Sequence, residues 1–442
     1  MWRHPSNVRR VAIGLVWLLL CSGASAQGIR LVTDSSSGQP VLYPSYITEY
    51  QGLLYFRGSN YPQGTDAELW SSDGLTAQRV ADINPGGNGS SPSYLAVAND
   101  KLYFGATTAG GTRLWQFDTV SGAALAPGSA AQASNPEQMT AFGTNLYFRA
   151  FRSNIGTEFW SFNGASQTPI DMYPNTGSSF PQHFTQFNGK LYFNANGTAG
   201  QGSELWRYSG SGVPTEAARI YPNNGSSPEH LAEYQGELYF SAYDGVHGRE
   251  LWKYDGAAAS LVADIVPGPN LSSNPTGLTA YDGKLYFSAS DPVHGTELWS
   301  FDGMSAQLVG EINPTPDPGN GDTFMMDSSP ADLTVFEGKL FFSANDGAHG
   351  RELWSYDGNQ LSLVNDINPG QYGSEVSELT VYNGELFFSA DNGYAPGLGT
   401  FQPKVYAYSL VPEPSTTTIA ALGAICLLAA CYVRTQRAAD KC

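Results

Sequence analysis

Short runs of alternating apolar and polar residues fill the chain between residues 30 and 408, and the runs recur. The tripeptide Leu-Tyr-Phe, or a close copy of it, begins at eight positions: Leu54, Leu102, Leu146, Leu191, Leu238, Leu285, Leu340 and Leu386. Successive copies lie between 44 and 55 residues apart. A period of this length is expected when each unit is a four-stranded blade of a propeller.

The sixth unit shows the strand pattern most clearly. Leu278–Tyr281 and Lys284–Ala289 flank Asp282-Gly283, and an Asp-Gly pair between two alternating runs predicts a two-residue hairpin. Glu297–Phe301 and Gln307–Val309 follow as two more strands. We therefore predict four strands in each unit, named A, B, C and D in chain order.

The two ends of the repeat region complement each other. A lone D-type strand, Arg30–Asp34, precedes the first unit, and the eighth unit ends with a C-type strand, Lys404–Tyr408, without a D strand. The sequence thus predicts an all-β fold over residues 27–410. This fold is a single eight-bladed β-propeller of four-stranded antiparallel blades, closed when the N-terminal strand supplies the missing D strand.

Composition agrees with many short strands separated by turns, because the chain has 50 Gly, 27 Pro, 25 Tyr and 22 Phe. All four cysteines lie outside the repeats: Cys21, Cys426, Cys431 and Cys442. The repeat domain is therefore predicted to be held by its core without disulfides.

The chain carries a net charge of -18, and basic residues at both ends make the repeat region more acidic still. An acidic surface repels phosphate backbones and anionic lipid headgroups, so we expect no nucleic-acid partner. Divalent cations and neutral glycans are easier partners. Acidity is also an ordinary means of solubility.

Residues 1–26 have the pattern of a secretory signal peptide. Arg9 and Arg10 precede an apolar run, and Ala24-Ser25-Ala26 stands before Gln27 as the cleavage site for signal peptidase. Cys21 after three leucines leaves lipidation as an alternative. The pattern predicts export through the inner membrane.

The other end, residues 411–442, contains Pro412-Glu413-Pro414, an apolar stretch at 416–433, and then Arg434 and Arg437. The stretch predicts one transmembrane helix with its basic end in the cytoplasm, and a plain anchor would look the same. Pro412, Glu413 and Pro414 make this tail resemble the PEP-CTERM sorting signal of bacterial exosortase substrates. The resemblance implies recognition by an exosortase, removal of the tail, and delivery to the outer surface or extracellular matrix.

The repeats resemble the ELWxxDGT repeat family. The copies that carry the resemblance are Glu68–Gly74, Glu250–Gly256, Glu297–Gly303 and Glu352–Gly358. This resemblance implies a repeat architecture and brings no settled activity. Because the Glu recurs around the chain, we predict a structural role in which it bonds the backbone of a neighbouring strand, while the Trp packs between blades.

Histidines recur before the Glu-Leu-Trp motif in three units. Each occupies the same place in its own unit, so we expect turn packing rather than one metal site. The B-to-C loops and D-to-A connectors should share one acidic face, which is our candidate ligand face; its residues are Asp244, His247, Asp291, His294, Asp346 and His349.

The longest connector, Asn313–Pro330, carries Asp317, Asp322 and Asp327. Their oxygens could hold calcium, although the EF-hand order is absent and a solvated acidic loop is the alternative. We predict no other cofactor. The repeat region also lacks the Gly-x-Ser-x-Gly nucleophile elbow, the His-Glu-x-x-His zinc-binding motif, the phosphate-binding loop and the dinucleotide-binding fingerprint of common enzymes. We therefore assign no catalytic residue.

These observations favour an exported, non-catalytic protein of the cell surface or extracellular matrix that binds exopolysaccharide or another envelope glycan. Two alternatives stay open at this point. One is a secreted carbohydrate-active or other hydrolytic propeller, whose site would combine unlike positions of several blades. The other is a calcium-dependent adhesin. The only membrane contact predicted is the C-terminal helix before processing.

Overall fold

The computed structural model describes residues 28–60, 65–86, 88–129, 133–173, 177–197, 202–222, 224–316, 326–393 and 401–410. The chain divides into two compact units. Residues 30–407 form the larger unit, which is described below. Of the other unit, which contains both chain ends, only residues 28–29 and 408–410 are described.

β-Strands build the larger unit, and they follow the predicted A-to-D order. The A strands are β3 (Leu42–Tyr50), β7 (Ser93–Ala98), β11 (Ser134–Phe142), β15 (Gln182–Phe187), β19 (Glu229–Tyr234), β23 (Thr276–Tyr281), β27 (Ala331–Phe336) and β31 (Ser377–Tyr382). The B strands are β4 (Leu53–Ser59), β8 (Lys101–Thr108), β12 (Asn145–Arg152), β16 (Lys190–Asn196), β20 (Glu237–Tyr243), β24 (Lys284–Asp291), β28 (Lys339–Asn345) and β32 (Glu385–Ala390).

The C strands are β5 (Glu68–Ser72), β9 (Gly111–Asp118), β13 (Gly156–Phe162), β17 (Ser203–Tyr208), β21 (Arg249–Tyr254), β25 (Gly295–Phe301), β29 (Arg351–Tyr356) and β33 (Lys404–Ser409). Seven D strands follow: β6 (Thr76–Ala81), β10 (Gly122–Leu125), β14 (Gln167–Ile170), β18 (Thr215–Ala218), β22 (Ala259–Ala263), β26 (Ala306–Gly310) and β30 (Leu361–Asn365). Two short strands precede the first repeat, β1 (Gly28–Leu31) and β2 (Thr33–Asp34).

Repeats two to seven each form one four-stranded antiparallel sheet. The first and last repeats belong to one nine-stranded sheet, in which β3 meets β33 at Leu42 and Lys404. The A strand of each repeat contacts the A strands of the repeats before and after it, and β31 contacts β3. The fold is therefore an all-β propeller, as the sequence predicts.

The N-terminal strand is broken, whereas the sequence predicted one continuous strand over Arg30–Asp34. Its first piece, β1, pairs with β33, and its second piece, β2, runs parallel to β6 of the first repeat. Val32 lies between the two pieces, fully buried, and its N–H donates to the Val405 carbonyl at 3.0 Å. The break coincides with the burial of Val32, whose side chain packs in the apolar cluster formed by the first and last repeats.

The predicted Asp-Gly hairpin is confirmed in the sixth repeat. Asp282 and Gly283 have φ values of 44° and 74°, and the strands on either side pair directly as Tyr281 with Lys284. Both turn positions lie in the left-handed region, which Gly and Asp tolerate better than branched residues do.

Apolar clusters join each repeat to the next. One cluster combines Leu205 of the fourth repeat with Leu238 and Phe240 of the fifth, all with no exposed surface, and Trp252 packs against it. The prediction that the motif Trp packs between repeats is confirmed here. Burying one such side chain contributes about 1.5–3 kcal/mol, so these clusters stabilise the packing of neighbouring repeats.

The motif Glu is buried in six repeats and ties strand C to the connector that leads into the next repeat. In the fifth repeat, Glu250 accepts the Ile265 N–H at 3.0 Å and the Ser273 N–H at 2.8 Å, and the Ser273 hydroxyl donates at 2.5 Å. The equivalent carboxylates, which we call the buried glutamates together with Glu250, are Glu68, Glu158, Glu204, Glu297 and Glu352. The predicted backbone role is thus confirmed, but the bonded backbone belongs to the connector and not to a strand.

Replacing Glu250 with Ala should destabilise the protein strongly, because two N–H groups and one hydroxyl would lose their charged acceptor in a buried place. We expect a loss of about 3 kcal/mol or more in the free energy of unfolding, measured by urea denaturation. The control is Glu233→Ala, which removes an exposed carboxylate from the same repeat. Equal stability of the two variants would contradict the assigned role.

Candidate functional site

Each motif histidine is bound within its own turn. Asp244 accepts the N–H groups of Val246 and His247 through one oxygen, and its other oxygen lies 2.6 Å from His247 Nδ1. The same arrangement holds His294 to Asp291 and His349 to Asp346, each at 2.7 Å. Within the ranges that the structure describes, no group of three or more His, Cys, Asp or Glu side chains could hold a metal ion.

Electrostatics in these turns follows from that pairing. Burial alone would raise the pKa of Asp244, but the hydrogen bonds from the His247 ring and from the turn backbone outweigh it and lower the pKa. The hydrogen bond to Asp244 in turn raises the pKa of His247. The candidate ligand face therefore carries separate His–Asp pairs whose carboxylates are already engaged.

The B-to-C turns and the D-to-A connectors do lie on one face. Asn270 of the connector donates its N–H to the Val246 carbonyl at 2.9 Å, and the Tyr243 hydroxyl lies 2.7 Å from the Asn270 side chain. Of the proposed calcium ligands, Asp327 accepts the Thr296 N–H at 2.6 Å, while Asp317 and Asp322 lie outside the described residues.

The processing signals also lie outside the described residues. They are the cleavage-site residues Ala24, Ala26 and Gln27, the sorting-signal residues Pro412, Glu413 and Pro414, and the apolar stretch at 416–433. Among the residues that are described, no helix has the length and apolar character needed to cross a membrane.

A second set of residues, which the sequence reasoning missed, lies at a bulge near the start of every A strand. Each member stands two residues after a proline in the first seven repeats, and the eighth member occupies the same place after Val376. We call this set the bulge row; it consists of Tyr46, Tyr94, Gln138, His183, His230, Gly277, Asp332 and Glu378.

The bulge gives these residues an unusual backbone. Pairing between strands A and B shifts register around each of the eight positions. The seven non-glycine members have φ values between 53° and 60°, in the left-handed region that such residues rarely adopt. Bulges that redirect a side chain are frequent beside functional sites, and strain of this kind persists where the surroundings enforce it.

Neighbouring members of the bulge row contact one another. The rings of Tyr46 and Tyr94 lie 5.2 Å apart between centroids, and those of His183 and His230 lie 5.8 Å apart. Glu378 of the last repeat accepts the Tyr46 N–H of the first repeat at 2.9 Å. The row therefore brings together side chains from repeats that are far apart in sequence.

Desolvation affects the titratable members of the row. It raises the pKa of Glu378 and of Asp332, and it lowers the pKa of His183 and His230, so the imidazoles favour the neutral form. The Asp332 side chain is exposed, and its carboxylate also accepts a hydrogen bond from the backbone of Glu378 in the next repeat. Both facts fit a side chain on the wall of a cavity.

Four arginines lie near the bulge row, on strand B of the first and third repeats and on strand C of the fifth and seventh repeats. Three of them are close to acidic side chains. Arg149 pairs with Glu137, Arg249 approaches Glu229 at 3.8 Å, and Arg351 approaches Glu375 at 3.9 Å. Burial raises the pKa of the Tyr46 hydroxyl, and the nearby Arg57 offsets part of that rise. Charge in the region is thus partly balanced, although the whole chain is strongly acidic.

The signal for the bulge row was present in the sequence. Aligning the repeats on the proline gives a column in which Tyr, Gln, His, Gly, Asp and Glu all occur, while the Leu-Tyr-Phe column hardly changes. Variation within an otherwise regular repeat marks the position at which the repeats differ in chemistry. Alternation of apolar and polar residues does not reveal it.

The family model for the outer membrane protein assembly factor BamB matches residues 194–408. No curated protein matches the chain. Among solved structures, a prolyl endopeptidase is 13% identical with a TM-score of 0.49, over 80% of this chain and 55% of its own. The β-propeller domain of the trilobed protease from Pyrococcus furiosus is 13% identical with a TM-score of 0.46, over 74% of this chain and 99% of its own. This chain thus spans about half the length of the endopeptidase.

The His–Asp turns predict a pH dependence of stability. The hydrogen bond to Asp raises the pKa of each of these histidines in the folded protein. The stability that each His contributes is therefore fully present below its unfolded-state pKa, near 6.5, and is lost as the pH rises through its folded-state pKa. The pKa of each Asp is lowered in the folded protein. The stability that each Asp contributes is therefore fully present above its unfolded-state pKa, about 3.8, and is lost as the pH falls through its folded-state pKa. We therefore expect the triple variant His247→Asn, His294→Asn, His349→Asn to be less stable than the unmodified protein. The difference in the free energy of unfolding, measured with urea, should be largest between these two pH limits.

Above the folded His pKa the difference between the two proteins should shrink. The control is His183→Asn, since the pKa of His183 is lowered and its contribution is lost as the pH falls. A difference for the triple variant that grows with rising pH would contradict the pairing.

Proposed function

We propose that the chain is an exported, non-catalytic binding protein of the cell surface or extracellular matrix. In this proposal the eight repeats close into one ring of eight blades, and the bulge row binds envelope glycan or exopolysaccharide. The observation that carries it is the row itself: seven of eight equivalent positions on a repeated frame hold polar or aromatic side chains, and neighbouring members contact one another at Tyr46–Tyr94, His183–His230 and Glu378–Tyr46.

Closure into a ring is supported by contacts between the last and first repeats. The Tyr382 hydroxyl donates to the Gly52 carbonyl at 2.6 Å, which repeats the bond from Tyr281 to Gly338 between the sixth and seventh repeats. Arg30 bonds both the Gly74 carbonyl of the first repeat and Glu385 of the last. In such a ring the A strands are innermost, so the bulge row lines the axis.

Glycan is favoured by the kinds of side chain in the row. Aromatic rings offer flat apolar surfaces on which a sugar ring can stack, while carboxylate, amide and imidazole groups offer hydrogen bonds to hydroxyls. The buried glutamates and the turn histidines are engaged with the protein itself, so neither set is free for acid–base chemistry.

The targeting part of the proposal rests on the sequence. Signal peptidase would remove residues 1–26, and an exosortase would process the tail at 411–442, which would deliver residues 27–410 to a polysaccharide-rich surface. Calcium and the acidic connector have no part in binding here. The charge of the chain argues against nucleic acid as the ligand.

Substitution of the tyrosine pair should weaken binding without unfolding the protein. We expect the double variant Tyr46→Asn, Tyr94→Asn to bind the producing cell's exopolysaccharide about tenfold less tightly, a loss of about 1.4 kcal/mol, because the apolar surfaces of both rings are removed. Asn suits the positive φ at both positions. Cosedimentation of residues 27–410 with the polymer, with and without chelator, measures the affinity.

The matched control is Tyr372→Asn, which removes a tyrosine that is 81% exposed on a connector. The same samples are assayed for shortening of the polymer. Absence of saturable binding by the unmodified protein would refute glycan binding, and shortened polymer would refute the non-catalytic assignment. Binding that is lost on chelation would favour a calcium-dependent adhesin.

A further inference from the structure

Gly277 is the member of the bulge row that has no side chain, and a cavity lies beside it. The cavity has a volume of about 450 Å³, within the range of about 300–1,000 Å³ typical of small-molecule sites. Strands A of the fifth, sixth and seventh repeats line it, and the residues that matter below are His230, Gly277, Asp332, Leu231, Leu278 and Leu333.

Polar groups from neighbouring repeats stand on either side of the gap at Gly277. His230 comes from the repeat before it and Asp332 from the repeat after it. Leu231, Leu278 and Leu333 add apolar surface between these groups. Such a lining, apolar with a few fixed polar groups, is what orients a small ring that carries hydroxyls.

The charges around the cavity disfavour an anionic ligand. Asp332 contributes a carboxylate, and burial keeps His230 on the neutral side by lowering its pKa, so no imidazolium attracts an acid group. Arg351, which partly offsets the charge of Asp332, already donates to the Ser343 hydroxyl at 3.0 Å and faces Glu375. This partial offset also weakens the attraction of Asp332 for a cationic ligand.

We infer that this cavity is a subsite for one uncharged, hydroxyl-rich sugar ring, and that Gly277 is the residue that keeps it open. The inference rests on the proposed glycan binding and adds the place and the class of sugar. Asp332 and neutral His230 accept hydrogen bonds from the sugar hydroxyls, and the leucines contact the apolar face of the ring.

Filling the cavity from position 277 tests the inference directly. Gln138 occupies the equivalent position in the third repeat and has a φ of 53°. The variant Gly277→Gln can therefore adopt a backbone conformation that the same residue type already has in this protein. A Cβ at Gly277 would meet its nearest atom, Leu333 Cδ1, at 3.5 Å, an ordinary contact. The control is Gly283→Asn in the nearby hairpin, where an added Cβ meets nothing within 4 Å.

The probes are methyl glycosides: a neutral hexoside, the corresponding uronic acid, and the corresponding amino sugar. Saturation-transfer NMR on residues 27–410 should show the neutral hexoside bound, with a loss of at least tenfold in affinity for Gly277→Gln and no change for Gly283→Asn. Thermal melting of both variants checks that they are folded. His230→Asn and Asp332→Asn should each weaken binding of the same hexoside.

Different failures have different meanings. Preference for the uronic acid or the amino sugar would overturn the assigned class, and unchanged hexoside binding in folded Gly277→Gln would overturn the assigned place. If exopolysaccharide still cosediments in either case, the proposed glycan binding stands while this inference falls. If neither the hexosides nor the polymer bind, both fail.

Discussion

Hydrogen bonds to the buried glutamates are the constraint on which the propeller depends. A connector between two sheets must leave strand D and enter the next strand A, and its backbone N–H groups become buried where neighbouring sheets meet. Glu250 supplies two acceptor oxygens at that point, and Ser273 completes the arrangement. The three hydrogen bonds satisfy these donors and offset part of the cost of burying the carboxylate, although burial still raises the pKa of Glu250. The same solution can therefore be repeated wherever one blade follows another.

A frame fixed in this way leaves one position free to vary. The apolar clusters and the connectors hold strand A from both sides, so the bulge keeps its backbone whether the residue there is His183, Asp332 or Gly277. The positions that are the same in most repeats stabilise the fold, and the bulge row, which differs from repeat to repeat, supplies different polar and aromatic side chains. Such a division explains how regular repeats produce an asymmetric set of side chains.

Much of this could be predicted from the sequence, and the exceptions have physical causes. The Leu-Tyr-Phe strands and the Asp282-Gly283 hairpin could be predicted because strand alternation and turn preferences depend on residues that are close in sequence. The connector bonds of Glu250 were misplaced because they join residues that are 15 to 23 positions apart in an irregular segment. The bulge row was missed because a bulge reverses the side-chain direction that alternation assumes. The break at Val32 was missed because it depends on packing between the first and last repeats, which are far apart in sequence.

The eighth repeat shows what happens where the repeated solution cannot apply. Phe388 stacks on Tyr406 at 17° between ring planes, as Phe148 stacks on Trp160 in the third repeat, so Tyr406 takes the place of the motif Trp. Lys404 then stands where six of the other repeats have the buried glutamate and the second repeat has Arg113. The chain that enters β3 does reach this point, but the Lys404 ammonium is a donor and cannot accept its N–H groups. Lys404 instead donates to the Gln402 carbonyl at 2.9 Å and to Asp391 at 3.3 Å. The backbone of Tyr43 completes the joint by donating to the Pro403 carbonyl at 2.8 Å. The eighth repeat therefore uses a different set of hydrogen bonds at the place where the first and last repeats pair.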